Sequence, residues 1–470
     1  MNVLVLVVPA FVAAVITVLM WRGVKNTTES FFVAKRSIGS ILGALSLAIS
    51  WVWVTALFVG PLKTYQDGLP ALVWFTVPNV LGIALSCAIA WQIRKRLNGQ
   101  GTTICEYLGH TYDRSVRNVT IVGTFFIQGV YAVLLHLVGA QILLSAAIDL
   151  SPMIIVMILA SLMVTLASFR GLFSSIGADV LKVSLVSVVV IASAVALYSA
   201  GSDTFMSGLA GVRGKQVDFF DPALLTGFAV PVALSLLASG AIDQQLYQRS
   251  YALSQRGAGW GLVLAPIIFM VLCVGIASLG FIAVGQGLKI DNAQFIGFEA
   301  LKAVFPEGAG TLFILTIVAI LIATGASALN AVSSVGAVDV VKSIVPTIGE
   351  SLLIWISRGT MALFVVICVL IYSFFPKISL LDLVLFIGPF RVALMLPTIM
   401  GAYTRARVPT SRGFTYALIA AMGAGLLLAA GWVPLYSEPS TRVFFAGLTA
   451  LGISAVACTV EWYRSRTLAW

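Results

Sequence analysis

Apolar runs of roughly 20 residues, split by short polar loops, recur along the whole chain, which is the length a bilayer demands of a helix. They predict about thirteen membrane helices, near 3–20, 38–62, 70–91, 119–147, 153–169, 174–200, 222–246, 258–284, 311–341, 352–375, 379–403, 413–433 and 442–463. The period-2 alternation of a membrane β-barrel is missing. The longest polar stretches are 92–117, 201–221 and 285–310, and the last two have room for short surface helices. No linker or soluble domain interrupts the pattern.

Composition narrows the class further. Of 470 residues 60% are hydrophobic and 10% are charged, too little charge for the surface of a soluble domain this size. The net charge of +10 does not point to nucleic acid, because the basic residues sit in short loops. Placing the N-terminus outside sends Arg22, Lys25, Arg94, Lys95, Arg96, Arg249, Arg256 and Arg412 inside, while few cations, such as Lys63 and Lys289, fall outside. An odd number of helices then leaves the C-terminus inside. The first segment lacks the basic start of a signal peptide and reads as a retained helix. The expected location is a cytoplasmic membrane of bacterial type. Five scattered cysteines without a C-x-x-C spacing argue against disulfides and metal sites.

Ionisable residues at bilayer depth are costly and draw attention. Asp179 and Lys182 lie three apart on one helix face, either as a structural pair that neutralises itself or as transport residues. Arg391 stands between Pro389 and Pro397, and either satisfies carbonyls freed by the prolines or meets a solute. His136 has Gln128 and Gln141 near it in sequence and reads as a helix contact or a proton carrier. Asp243 and Arg249 read as an ion pair at the inner surface. Gly60 and Pro61, then Pro231 and the ASGA run at 238–241, mark candidate helix breaks five helices apart. Breaks at matching positions of two halves suggest an inverted-repeat transporter.

The stretch FFVAKRSIGSILGALSLAISWVWVTALFVGPLKTYQDGLPALVWFTVPN at 31–79 resembles the start of the sodium/solute symporter family, most of all its urea-transporter-like branch. SSIGADVLK at 174–182, AIDQQLYQR at 241–249 and LIATGASALNAVSSVGAVDVVK at 321–342 resemble three further segments of that family, in order. The resemblance implies an all-α polytopic membrane protein with two inverted five-helix repeats and broken first and sixth core helices. The corresponding division is 1–37 as a peripheral helix and inner loop, 38–200 and 222–408 as the repeats around an outer loop at 201–221, and 409–470 as two peripheral helices. It implies alternating access at a midplane site, without cofactor, in a monomer or homodimer.

The resemblance also implies a sodium site between the first and eighth core helices. Its carbonyl donors fall near Ser50, Trp53 and Ile320, and its hydroxyl pair at 323 and 324. Here the sequence departs: the expected serine is Ala323, and only Thr324 keeps a hydroxyl. The family's membrane aspartate is Asp179, and Lys182 replaces a frequent glutamine beside it. The coupling ion is therefore Na+, held by Thr324, carbonyls and Asp179, or H+, relayed by Lys182 and Asp179. Solute contacts are expected from Trp51, Trp53, Thr55, His136, Gln141, Ser235 and Ser239, which suit a small planar amide such as urea. Arg391 would favour a small carboxylate or a proline-like amino acid instead. A membrane enzyme, a channel and a sensor are the competing classes; no catalytic constellation, filter repeat or signalling domain is visible.

Overall fold

The computed structural model describes residues 4–144, 148–213, 218–290, 292, 295–376, 380–404, 408, 410–433 and 438–467. The expected helix ends at 147 and 379 lie outside these residues. The described chain is helical, and its only β feature among those residues is an isolated bridge between Ile38 and Leu253. In chain order the main helices are α1 (Leu4–Met20), α2 (Ser40–Ser50), α3 (Ala56–Arg96), α4 (Arg114–Ile142), α5 (Pro152–Arg170), α6 (Leu172–Gly208) and α7 (Pro222–Ile242). They continue with α8 (Gln244–Ala252), α9 (Ala258–Gly285), α10 (Ala309–Ile344), α11 (Glu350–Phe374), α12 (Leu380–Tyr403), α13 (Arg412–Ala429) and α14 (Pro439–Thr467).

By length and composition, 11 of the described helices can cross a membrane; α1 and α2 are apolar but shorter. The expected second and third helices are partly fused into α3, which breaks at Gly68, where φ is 64° and glycine is the residue that adopts it readily. The surface helix expected within 285–310 is present at Ile296–Val304. Within 201–221 the chain instead prolongs α6 past a non-helical Gly201.

Two helix breaks position the site, and both differ from the positions that proline and glycine suggested. The first lies at Trp51–Thr55, between α2 and α3, while Gly60 and Pro61 sit inside α3. The second lies at Asp243, just past the ASGA run, where φ −76° and ψ 106° interrupt the helix. The reason is local hydrogen bonding. The Asp243 carboxylate accepts from the backbone N–H groups of Gln245 and Leu246 at 2.8 and 3.4 Å, so it caps a new helix start. Pro231, by contrast, follows a π-helical turn at Leu225–Ala229 inside α7 and does not end the helix.

The two half-helices α2 and α8 are tied together at the ends remote from the breaks. Ile38 N–H donates to Ala252 at 3.0 Å, and Ser254 N–H donates to Ile38 at 2.8 Å. Arg94 of α3 donates to the carbonyls of Ser250 and Leu253 at 2.6 and 3.0 Å, satisfying the exposed end of α8. Helix α3 packs on α7 and α9, α7 on α12, and α10 on α6. Small residues permit the closest approach, as between Gly240 of α7 and Gly82 of α3. Helices α13 and α14 pack on each other and on α12 at the margin.

Candidate functional site

The first break opens a cavity of about 60 Å³. Its walls include Trp51, Trp53, Thr55, Asn79, Tyr131, Ser239 and Arg391. Each aromatic is held by its own partner. Trp51 Nε1 donates to Asn79 Oδ1 at 3.0 Å, and Asn79 Nδ2 donates to the Phe75 carbonyl at 2.8 Å. The Trp53 ring lies 6.2 Å from Tyr131 and 5.5 Å from His136. The Arg391 guanidinium stands over Tyr131 at 4.6 Å and Trp53 at 5.7 Å, in cation–π range. No carboxylate lies within the 4.0 Å of an ion pair with Arg391 among the described residues, and its Nε is buried without a hydrogen-bond partner. The cavity therefore offers one cation, three hydroxyls and an amide on an otherwise aromatic and aliphatic wall.

Other expected contacts stand aside. His136 is fully buried, with Nδ1 2.6 Å from the Ala132 carbonyl, and it does not line the cavity. Gln141 and Ser235 do not line it either; Ser235 packs near Gly388. The cavity adds two polar residues that the sequence reading does not name, Asn79 and Tyr131. Asn79 ends the quoted WFTVPN stretch, which gives it a signal, whereas Tyr131 looks like any membrane aromatic.

The ionisable residues pair differently from the sequence expectation. Asp179 does not pair with Lys182, and Arg249 does not pair with Asp243. Arg249 Nη2 contacts Asp179 Oδ2 at 2.9 Å, both side chains only 2% exposed. Ser46 donates to the same carboxylate oxygen at 2.6 Å, and Arg249 also donates to Ser327 at 2.7 Å. Lys182 turns elsewhere. Its Nζ donates to the Ile49 carbonyl at 2.6 Å and to Thr324 Oγ1 at 2.7 Å. An ammonium thus caps the frayed C-terminus of α2, where partial negative charge gathers, and links it to α10.

A sequence model of the sodium:solute symporter family matches residues 31–419. The chain belongs to that family. It is 22% identical over 358 residues to a probable urea active transporter 1 of Schizosaccharomyces pombe, covering 68% of this chain and 52% of the relative. It thus spans about half the length of that curated relative. A Na+-coupled sialic acid symporter in a substrate-bound outward-open state superposes with a TM-score of 0.73 at 16% identity, covering 97% of this chain and 96% of the other. A manganese transporter of Eremococcus coleocola superposes at 0.54 with 14% identity, covering 91% and 94%. At such identities the likeness concerns the fold. Family and fold are those of transporters, and with the long apolar helices they make the chain a multi-pass integral membrane protein.

Sodium coupling in this family invites a fit test at the first break. Of the oxygens expected to hold the ion, the Trp53 carbonyl and the Thr324 hydroxyl already accept hydrogen bonds. Ser50 Oγ donates to the Leu47 carbonyl at 2.8 Å, and the Trp53 carbonyl accepts from Ala56 N–H at 2.9 Å. The Ala323 carbonyl accepts from Ser327 Oγ at 2.8 Å, and Ile320 is buried in α10. Thr324 and Ile49 already serve Lys182. A second cation on those two oxygens, roughly 4 Å from Nζ, would meet about 4 kcal/mol of repulsion at an effective dielectric of 20. This arrangement does not fit Na+.

Proposed function

We propose that the chain is a secondary active symporter for a small polar solute, urea or a short amide first, moved by alternating access between inverted repeats. The observation that carries this reading is the cavity at the first break. At roughly 10–15 Å³ of such space per water, 60 Å³ takes a solute of about four to six heavy atoms. A urea-like carbonyl suits the Arg391 guanidinium, and its N–H groups suit the hydroxyls of Thr55 and Ser239. Flat aromatic walls from Trp51, Trp53 and Tyr131 suit a planar solute. The urea transporter relative supports the same choice. A cation gradient, of Na+ or H+, drives the movement.

A small carboxylate is the second reading, favoured because no carboxylate among the described residues makes ion-pair contact with Arg391. Counterflow in proteoliposomes with labelled urea, acetamide, acetate and proline, under imposed Na+ or pH gradients, separates the two. Saturable urea or acetamide counterflow supports the first reading. Counterflow confined to anions, and lost in Arg391→Ala, replaces it with the second. Flux that does not saturate removes both.

A further inference from the structure

We infer that Lys182 is a resident cation: its ammonium fills the place of the coupling sodium at the first helix break, so that this site works without Na+. The inference rests on taking the broken-helix region as the transport site.

Three observations carry it. The first is the ligand set. Lys182 Nζ contacts a carbonyl at the frayed end of α2 and a hydroxyl on α10, at 2.6 and 2.7 Å. A carbonyl and a hydroxyl bridged across two helices are the oxygens a hard cation would use, and here a tethered ammonium bridges them.

The second is charge. The buried cluster holds one carboxylate, Asp179, against two cations, Lys182 and Arg249, all at most 2% exposed. Asp179 Oδ2 is already claimed by Arg249 and Ser46, and Oδ1 alone of this carboxylate is without a hydrogen-bond partner. A bound Na+ would raise the excess of positive charge in a place where burying charge is costly.

The third is the missing oxygen. Residue 323 is alanine, so α10 presents one hydroxyl at this level and not two, and that hydroxyl is occupied by the lysine. Ser327, the next hydroxyl along the face, is engaged with Arg249 and with the Ala323 carbonyl. A lysine needs fewer oxygens than a naked ion, because its charge arrives with a covalent tether and three directed donors. The loss of a ligand and the gain of an ammonium are therefore one change seen twice.

Mechanically, the ammonium would pin α2 to α6 and α10 permanently, as a sodium ion would do only while bound. The small residues of α10 let the three helices come close enough for one lysine to reach both partners.

The test reads ion binding and not solute movement, so it can fail separately from the transport reading. Purified full-length protein is melted in NaCl, KCl and choline chloride at equal ionic strength. The wild type is expected to show the same Tm in all three salts. Lys182→Ala, and Lys182→Gln combined with Ala323→Ser, are expected to melt lower in choline and to gain roughly 3 °C selectively in NaCl, saturating with concentration. A Na+-specific rise in the wild type overturns the inference. So does the absence of any Na+ response in a folded variant, since Lys182 would then be only a structural tie. If neither variant is recovered folded, equilibrium binding of radiolabelled Na+ to the wild type decides: saturable binding overturns the inference, and its absence supports it.

Discussion

Arg249 of α8 grips Asp179 of α6 at 2.9 Å in a place where neither side chain meets more than a trace of solvent. The pair spans 70 residues of sequence and locks a half-helix to a full one. Ser46 of α2 and Ser327 of α10 join it, so four helices meet at one ion pair. Removing one partner would strand the other charge in a dry interior. Arg249→Met is expected to cost about 3–5 kcal/mol of stability, and Asp179→Leu in the same background to return much of it. Chemical unfolding of the two single variants and the double in detergent measures the coupling. Additive single effects would mean that the contact carries no energy of its own.

The cavity makes a separate demand on Arg391. A lysine there keeps the charge but loses the planar face stacked on Tyr131 and Trp53. Cation–π contacts of this kind are worth about 0.5–2 kcal/mol. Arg391→Lys should therefore weaken solute affinity by roughly tenfold while leaving the protein folded. Competition binding with the solute identified by counterflow checks this. An unchanged affinity would place the guanidinium outside the recognition step.

Much of the fold was legible because a bilayer imposes a coarse rule. Twenty apolar residues make a helix whatever surrounds them, so segments such as 153–169 and 352–375 could be read directly. The breaks were harder. Gly60 and Pro61 looked like a break, yet the chain unwinds five residues earlier, among Trp51–Thr55, where no residue is a helix breaker. Tertiary packing of the tryptophans decides that point, and a single sequence does not display it. The pairing of charges was harder still. Asp179 and Lys182 are neighbours on one helix face, and proximity in sequence suggested a pair. Arg249, 70 positions away, outcompetes the lysine because α8 delivers a fork of donors to the carboxylate. What sequence did carry was the anomaly itself: an alanine for a hydroxyl at 323 and a lysine at 182.

Close helix packing yields a stringent prediction at Gly240. A methyl group there would overlap the Gly82 carbonyl on α3, which is backbone and cannot swing aside. Gly240→Ala should force α7 away from α3 and lower stability by about 1–3 kcal/mol, as overpacking does. Gly423, whose added methyl would meet nothing within 4 Å, is the control. Gly423→Ala should leave the melting temperature unchanged or slightly raised. Equal effects at the two positions would contradict the close approach of α3 and α7.

Cys105, in the short helix Ile104–Thr111 outside the spans, tests the packing beneath that helix. Burial, reinforced by the negative charge of Asp339, holds its thiol well above the ordinary cysteine range. The thiolate is the reactive form, so at pH 7–8 the folded protein should not react with maleimide at this position. Reaction should appear only on unfolding. Mass spectrometry of pulse-labelled protein before and after denaturation reads both states, and labelling of Cys105 in the native state would show that this packing opens.

Asp243 governs the second break, and its variants separate capping from charge. The carboxylate accepts from two backbone donors at the start of α8, which have no partner inside the helix. Asparagine offers a similar oxygen without the charge, and alanine offers neither. Asp243→Ala should lose about 1 kcal/mol, and Asp243→Asn only a few tenths. Because α8 carries Arg249, the alanine variant should also loosen the grip on Asp179, so its effect and that of Arg249→Met should be less than additive. A cycle of these two variants, read by unfolding, gives the coupling. If Asp243→Asn costs as much as Asp243→Ala, the negative charge holds the break through its attraction to Arg391, and the two backbone hydrogen bonds contribute little.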